Sequence, residues 1–136
     1  MPVTSRSVHS RAPVAYEYVP FYVGTITTSA TNVVRVRLDR DAILHQVQLS
    51  ASAVSGTSPT LSATVRRGAT DLVTTPNLTA AGVVTASPTA DNRVVRAGDV
   101  LEVNLTAGGT SPSYSNTCVV LVLRTGGPEF VGNVAL

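Results

Sequence analysis

One stretch restricts the fold more than any other: residues 117–123, Thr-Cys-Val-Val-Leu-Val-Leu. Its apolar side chains fall on odd and even positions alike, so as a strand it needs cover on both faces. The preceding residues set its context. Ala97-Gly98-Asp99 is a turn, with glycine supplying backbone freedom and aspartate a local side-chain hydrogen bond. From Val100 to Leu105 the pattern alternates, with Leu101, Val103 and Leu105 on one face and Glu102 and Asn104 on the other. Residues 107–115 contain Gly108-Gly109 and Pro112 among serines, which predicts a surface loop. The whole of 93–124 thus reads as turn, half-buried strand, loop and doubly apolar strand, with more surface to bury than a lone sandwich requires.

Valine and threonine dominate the remainder, and no long window carries apolar residues at helical spacing. β-branched side chains fit a pleated surface and lose rotamer freedom in a helix. A chain of 136 residues makes one domain that buries roughly two-thirds of its unfolded surface. We expect an all-β domain over 14–125, flanked by an extended arm at 1–13 and a tail or edge strand at 126–136.

The arm carries Arg6, His9 and Arg11 with serines and prolines and no acidic residue. It cannot build a core, and its readings are docking on a neighbouring subunit, fraying, or contact with nucleic acid, for which two arginines are a weak signal. Next comes an aromatic run, with Tyr16, Tyr18, Phe21 and Tyr22 packed around Pro20. Proline there fits an edge strand or a bend. The rings either plug one end of the sandwich or anchor an interface. In 32–41, Val34, Val36 and Leu38 face inward, while Arg35, Arg37 and Asp39 face outward as ordinary ion pairs or as a contact to another protein. In the strand that follows, His45 shares its parity with Ile43, Val47 and Leu49, which places it on the apolar face. Residues 55–59 form a loop, 66–69 a turn, and 82–86 a weak strand. The tail holds Phe130, Val131, Val134 and Leu136 beyond Gly126-Gly127-Pro128, and such a segment must bury somewhere. Eight to ten strands with frequent turns and some long connections predict a jelly-roll-like antiparallel β-sandwich or barrel.

Chemistry is sparse. No G-x-S-x-G, phosphate-cradling loop or metal-ligand spacing occurs, and we expect neither catalytic, cofactor nor metal residues. Cys118 lies inside an apolar strand and has no disulfide partner in the chain. A net charge of +2 is too small for a nucleic-acid partner, and a small-molecule ligand is not expected either. No signal sequence and no apolar stretch long enough for a membrane span are recognisable, so synthesis in a cytoplasm and no membrane partner are expected. All ten basic residues are arginine, the residue favoured in interface ion pairs, although codon bias also accounts for it.

Taken together, Val23-Gly24-Thr25, the Val95–Leu105 hairpin with its Gly-Asp turn, and the apolar strand Thr117–Leu123 resemble the small jelly-roll decoration, or cement, proteins of tailed bacteriophage heads. The resemblance covers roughly 21–124. It implies a homotrimer on the capsid exterior that clamps adjacent major capsid subunits by buried surface. The candidate interface residues are Arg6, Arg11, Tyr16, Tyr18, Phe21, Tyr22, Arg35, Arg37, Phe130 and Val131. The alternative is a carbohydrate-binding or receptor-binding module of a phage fibre, with Tyr16, Tyr18, Tyr22 or Tyr114 stacking on sugars.

Overall fold

A computed structural model describes residues 14–125. These residues form eight antiparallel strands: β1 (Ala15–Ile26), β2 (Ala30–Arg37), β3 (Ala42–Ala51), β4 (Ala53–Arg67), β5 (Thr70–Thr74), β6 (Gly82–Ala86), β7 (Val94–Val95) and β8 (Val100–Thr125). The one helical element among them is a 3₁₀ turn at Ala90–Asn92. The all-β, jelly-roll-like architecture expected from the sequence is therefore present.

β8, at 26 residues, is the axis of the molecule. Its C-terminal half lies between β1 and β3, and β6 continues that layer beyond β3. Its N-terminal half lies between β2 and β4, and β5 continues the second layer beyond β4. The two inner faces share one core. Val119, Leu121, Leu123, Leu44, Val47 and Leu49 come from the first layer, and Leu101, Val103, Leu105, Val34, Ala63 and Val65 from the second.

Two expected loops are not loops. Residues 55–59 belong to β4 and 107–115 to β8, and they pair with each other. The tetrapeptide Gly-Thr-Ser-Pro occurs in both, at 56–59 and 109–112. The two copies adopt matching backbones: φ is +113° at Gly56 and +100° at Gly109, and +49° at both Ser58 and Ser111. A Cβ on Gly56 would lie 2.7 Å from the Ser111 carbonyl oxygen, and one on Gly109 would lie 2.6 Å from that of Ser58. Each bend thus requires the other's glycine. This reciprocal corner is what carries the β4–β8 ribbon from one layer to the other.

The Gly-Asp turn is as expected. The Arg96 N–H donates to the Asp99 carboxylate at 2.9 Å, and the Asp99 N–H donates to the Arg96 carbonyl at 3.0 Å. Asp41 supports it from outside, accepting from the Ala97 N–H at 2.9 Å and from the Arg96 guanidinium at 3.3 Å. The Ala97 bond chiefly holds the Asp41 carboxyl below its ordinary value against the opposing desolvation, and the hydrogen bond and charge of Arg96 lower it further. A carboxylate lowered in the fold contributes stability above its unfolded pKa of about 3.9 and loses it as pH falls through the folded value. The stability difference between wild type and Asp41→Asn should therefore be flat at neutral pH. It should close below about pH 4, as read by urea unfolding across a pH series.

Tyr114 is the largest fully buried side chain, and its hydroxyl has no hydrogen-bond partner among the described residues. Burial pushes its pKa up. An unpaired buried hydroxyl costs about 1–3 kcal/mol. Tyr114→Phe should accordingly leave stability unchanged or raise it by about 1 kcal/mol; a loss of that size in urea unfolding would mean that the hydroxyl is bonded in solution.

Candidate functional site

The two layers present different outer faces. On the β2–β8–β4–β5 layer the register aligns Arg35, Glu102, Arg66 and Asp71 in one row across four strands. Charges alternate along it, with Arg35–Glu102 at 3.8 Å and Arg66–Asp71 at 2.6 Å. The neighbouring row closes with a Thr64–Thr74 hydroxyl pair at 2.9 Å. This face is matched internally and suits water.

On the β1–β8–β3–β6 layer the rows are Tyr22–Cys118–Ser50–Val83, Pro20–Val120–Gln48–Thr85, Tyr18–Val122–Gln46 and Tyr16–Arg124–Ile43. No acidic residue falls in these rows, and Arg124 at one end is the only basic one. Tyr16, Tyr18 and Tyr22 are 51%, 63% and 69% exposed, and Val83 is 58% exposed. The period-two alternation of β1 puts all three tyrosines on this outer face, while Phe21 points the other way and packs against the core. The aromatic run therefore does not plug an end of the sandwich: one ring goes inward and three go outward.

Several of these side chains are held in place. The Tyr22 hydroxyl donates to Asn116 at 3.0 Å, and the Asn116 amide donates to the Ser52 hydroxyl at 2.8 Å. Gln48 donates to Gln46 at 2.9 Å. Tyr16 meets the His45 ring edge-on at 5.0 Å between centroids. His45 is not on the apolar face expected for it. A register shift between Leu44 and Gln46 makes it the extra residue of a bulge, so Leu44 and Val47 both point inward while His45 is exposed. Cys118, expected in the core, is half-buried on this outer face.

The doubly apolar strand now has an explanation. Val119, Leu121 and Leu123 enter the core, and Val122 is buried at 1% exposure by the chain itself. Cys118 and Val120 stay partly open beside the tyrosines. The demand for a second cover is met at one end of the strand and left at the other.

The expected interface residues therefore divide. Tyr16, Tyr18 and Tyr22 gather on the β1–β8–β3–β6 face, which has no acidic residue in its rows. Arg35 and Arg37 are exposed on β2, in the other layer. Phe21 is internal. Arg6, Arg11, Phe130 and Val131 lie outside the described residues. Tyr114, a stacking candidate under the fibre alternative, is fully buried and cannot stack on a sugar. Gln46, Gln48, Val83 and Val120 join the face unannounced, because strand adjacency brings them there and no local sequence pattern does. Among the described residues no group of three or more His, Cys, Asp or Glu side chains is placed to hold a metal ion.

No family model matches the sequence, and no curated protein matches it. Solved structures with a similar course of the chain include the capsid of Ralstonia phage GP4, at 17% identity over 85% of this chain and 85% of that one, with a TM-score of 0.49. The capsid of Helicobacter pylori bacteriophage KHP30 is similar at 13% identity over 82% and 85%, with a TM-score of 0.42. A pilus subunit of Bacillus endospore appendages is similar at 14% identity over 88% and 94%, with a TM-score of 0.46.

Proposed function

We propose that this protein is a non-enzymatic virion component, a decoration protein that binds the outside of a phage head and stabilises contacts between major capsid subunits, as a homotrimer. The observation that carries the reading is the contrast between the two outer faces. A buried tyrosine removes about 150–250 Å² from water, and apolar area contributes about 25 cal/mol per Å². Exposed ion pairs such as Arg35–Glu102 are worth about 0–1 kcal/mol each and cost desolvation when covered. A partner therefore gains from covering the β1–β8–β3–β6 face and gains little from the other. Held side chains such as Tyr22 also lose less rotamer freedom on docking. The Gly-Asp hairpin and the apolar last strand, which resemble those of decoration proteins, support the same reading.

The test is direct. Purified protein should behave as a trimer in light scattering and should co-sediment with expanded capsids isolated without it, raising their resistance to heat. A monomer that neither sediments with capsids nor protects them would overturn the proposal. Glycan binding lost on Tyr18→Ala, without capsid binding, would put the fibre module in its place.

A further inference from the structure

The two long sides of the sandwich are finished differently. On one side the connection from β5 to β6 runs along β4 and closes the gap between the layers. Thr75 and Leu78 are buried there, with the Thr75 N–H donating to the Ala63 carbonyl at 2.9 Å and the Leu78 N–H to the Leu61 carbonyl at 2.7 Å. On the other side lie β1 and β2, one in each layer, joined by residues 27–29. Among the described residues each of them pairs only with β8, so both are edge strands. Val19, Phe21 and Val23 of β1 and Val33 and Val36 of β2 pack against the core along this seam but are only partly buried. Pro20 has no N–H, and within β1 it must turn that side of the backbone away from β8. The free edge of β1 therefore cannot carry an unbroken hydrogen-bond ladder, and the seam suits side-chain packing better than strand addition.

Each edge strand also carries one charge that the chain does not match. Arg35 meets Glu102, whereas Glu17 on β1 and Arg37 on β2 are exposed and have neither an ion pair nor a side-chain hydrogen bond among the described residues. Glu17 shares its strand parity with Val19 and Phe21, which puts it on the seam side of β1. It lies opposite Leu123, and Arg37 lies opposite Val100. Both charges thus sit at the end of the sandwich where β8 begins and finishes, an acid on one edge and a base on the other. We propose, resting on the trimeric assembly above, that this seam faces the three-fold axis and packs against a second copy of the chain, with Glu17 of one protomer against Arg37 of the next. Rotation repeats that pair at every contact and closes the ring. A second copy is favoured because the seam supplies both signs of charge itself and offers apolar positions from every protomer to cover one another. The tyrosine face is left open to the capsid.

Charge exchange tests this in the full-length protein without capsids. In sedimentation over a dilution series, Glu17→Arg and Arg37→Glu should each raise the concentration at which the trimer half-dissociates at least about tenfold. The double variant, Glu17→Arg with Arg37→Glu, should recover most of that loss, which a general loss of packing would not allow. Both side chains are exposed, so the circular dichroism of all three variants should match wild type. A trimer that neither single change weakens, or a double variant no better than the singles, overturns the placement of the seam at the axis and leaves the trimer standing. A wild-type monomer at every concentration overturns the seam contact and the trimer together. A wild-type dimer that shows the same rescue also overturns the three-fold placement, and assigns the seam to a two-fold contact. Co-sedimentation of the wild type with capsids reads the decoration role separately.

Discussion

Gly109→Ala is expected to destabilise the protein by about 3–5 kcal/mol, combining a strained backbone with overpacking. A φ of +100° is open to glycine and costly for alanine, and the new methyl would lie 2.6 Å and 2.8 Å from the carbonyl oxygens of Ser58 and Thr57. Backbone atoms cannot turn aside as a flexible side chain would. Domains of this size have about 5–15 kcal/mol in total, so the variant should unfold at a much lower urea concentration. Gly68→Ala is the internal control. Its φ is also positive, at +62°, but nothing lies within 4 Å of the added carbon. That change should cost only about 1–2 kcal/mol. Gly56→Ala should resemble Gly109→Ala, and the double variant should lose less than the sum, because opening the corner relieves both clashes. Equal losses at Gly68 and Gly109 would show that the reciprocal packing contributes nothing.

The second large effect concerns binding. Under the decoration role proposed above, Tyr18→Ala should weaken association with capsids at least about 30-fold, equivalent to about 2 kcal/mol, as expected of a tyrosine at the centre of an interface. Tyr18 lies between Tyr16 and Tyr22 on the same face and is 63% exposed, so its removal should leave the fold intact. Arg35→Ala and Arg66→Ala, on the ion-paired face, should change affinity less than about twofold if that face meets solvent. Sedimentation titrations with all three variants read both faces at once. A reversed ranking would move the interface to the other layer.

The parts of the fold that were legible in the sequence are those where local pattern and tertiary position agree. Charges alternating with Val34, Val36 and Leu38 marked β2 because one face meets water. The weak strand over 82–86 and the Gly-Asp turn were also visible, since turn chemistry acts within a few residues. The Gly-Thr-Ser-Pro bends were misread because glycine, serine and proline signal a change of direction without saying whether a second strand follows it. The repetition of the tetrapeptide was the available clue. His45 was misplaced because parity counting assumes an unbroken register, and one bulge inverts it. The tyrosine face was half legible: Tyr16 and Tyr18 share a parity, but the sequence does not reveal which strands lie beside them.

The order of strands along the chain has a consequence for how the molecule is made. β8 is the last of the described strands, yet β1, β2, β3 and β4 all pair with it. Until residue 125 has left the ribosome, those four have no shared partner, and the two layers cannot close on a common core. Synthesis proceeds at about 5–20 residues per second, so the nascent chain spends seconds with strand edges and valine-rich faces uncovered. Closure of the two layers should therefore be a late, concerted step, with the slow kinetics of distant strand pairing. Where many copies are made at once, that interval is when neighbouring chains would mispair, and chaperone demand should peak there.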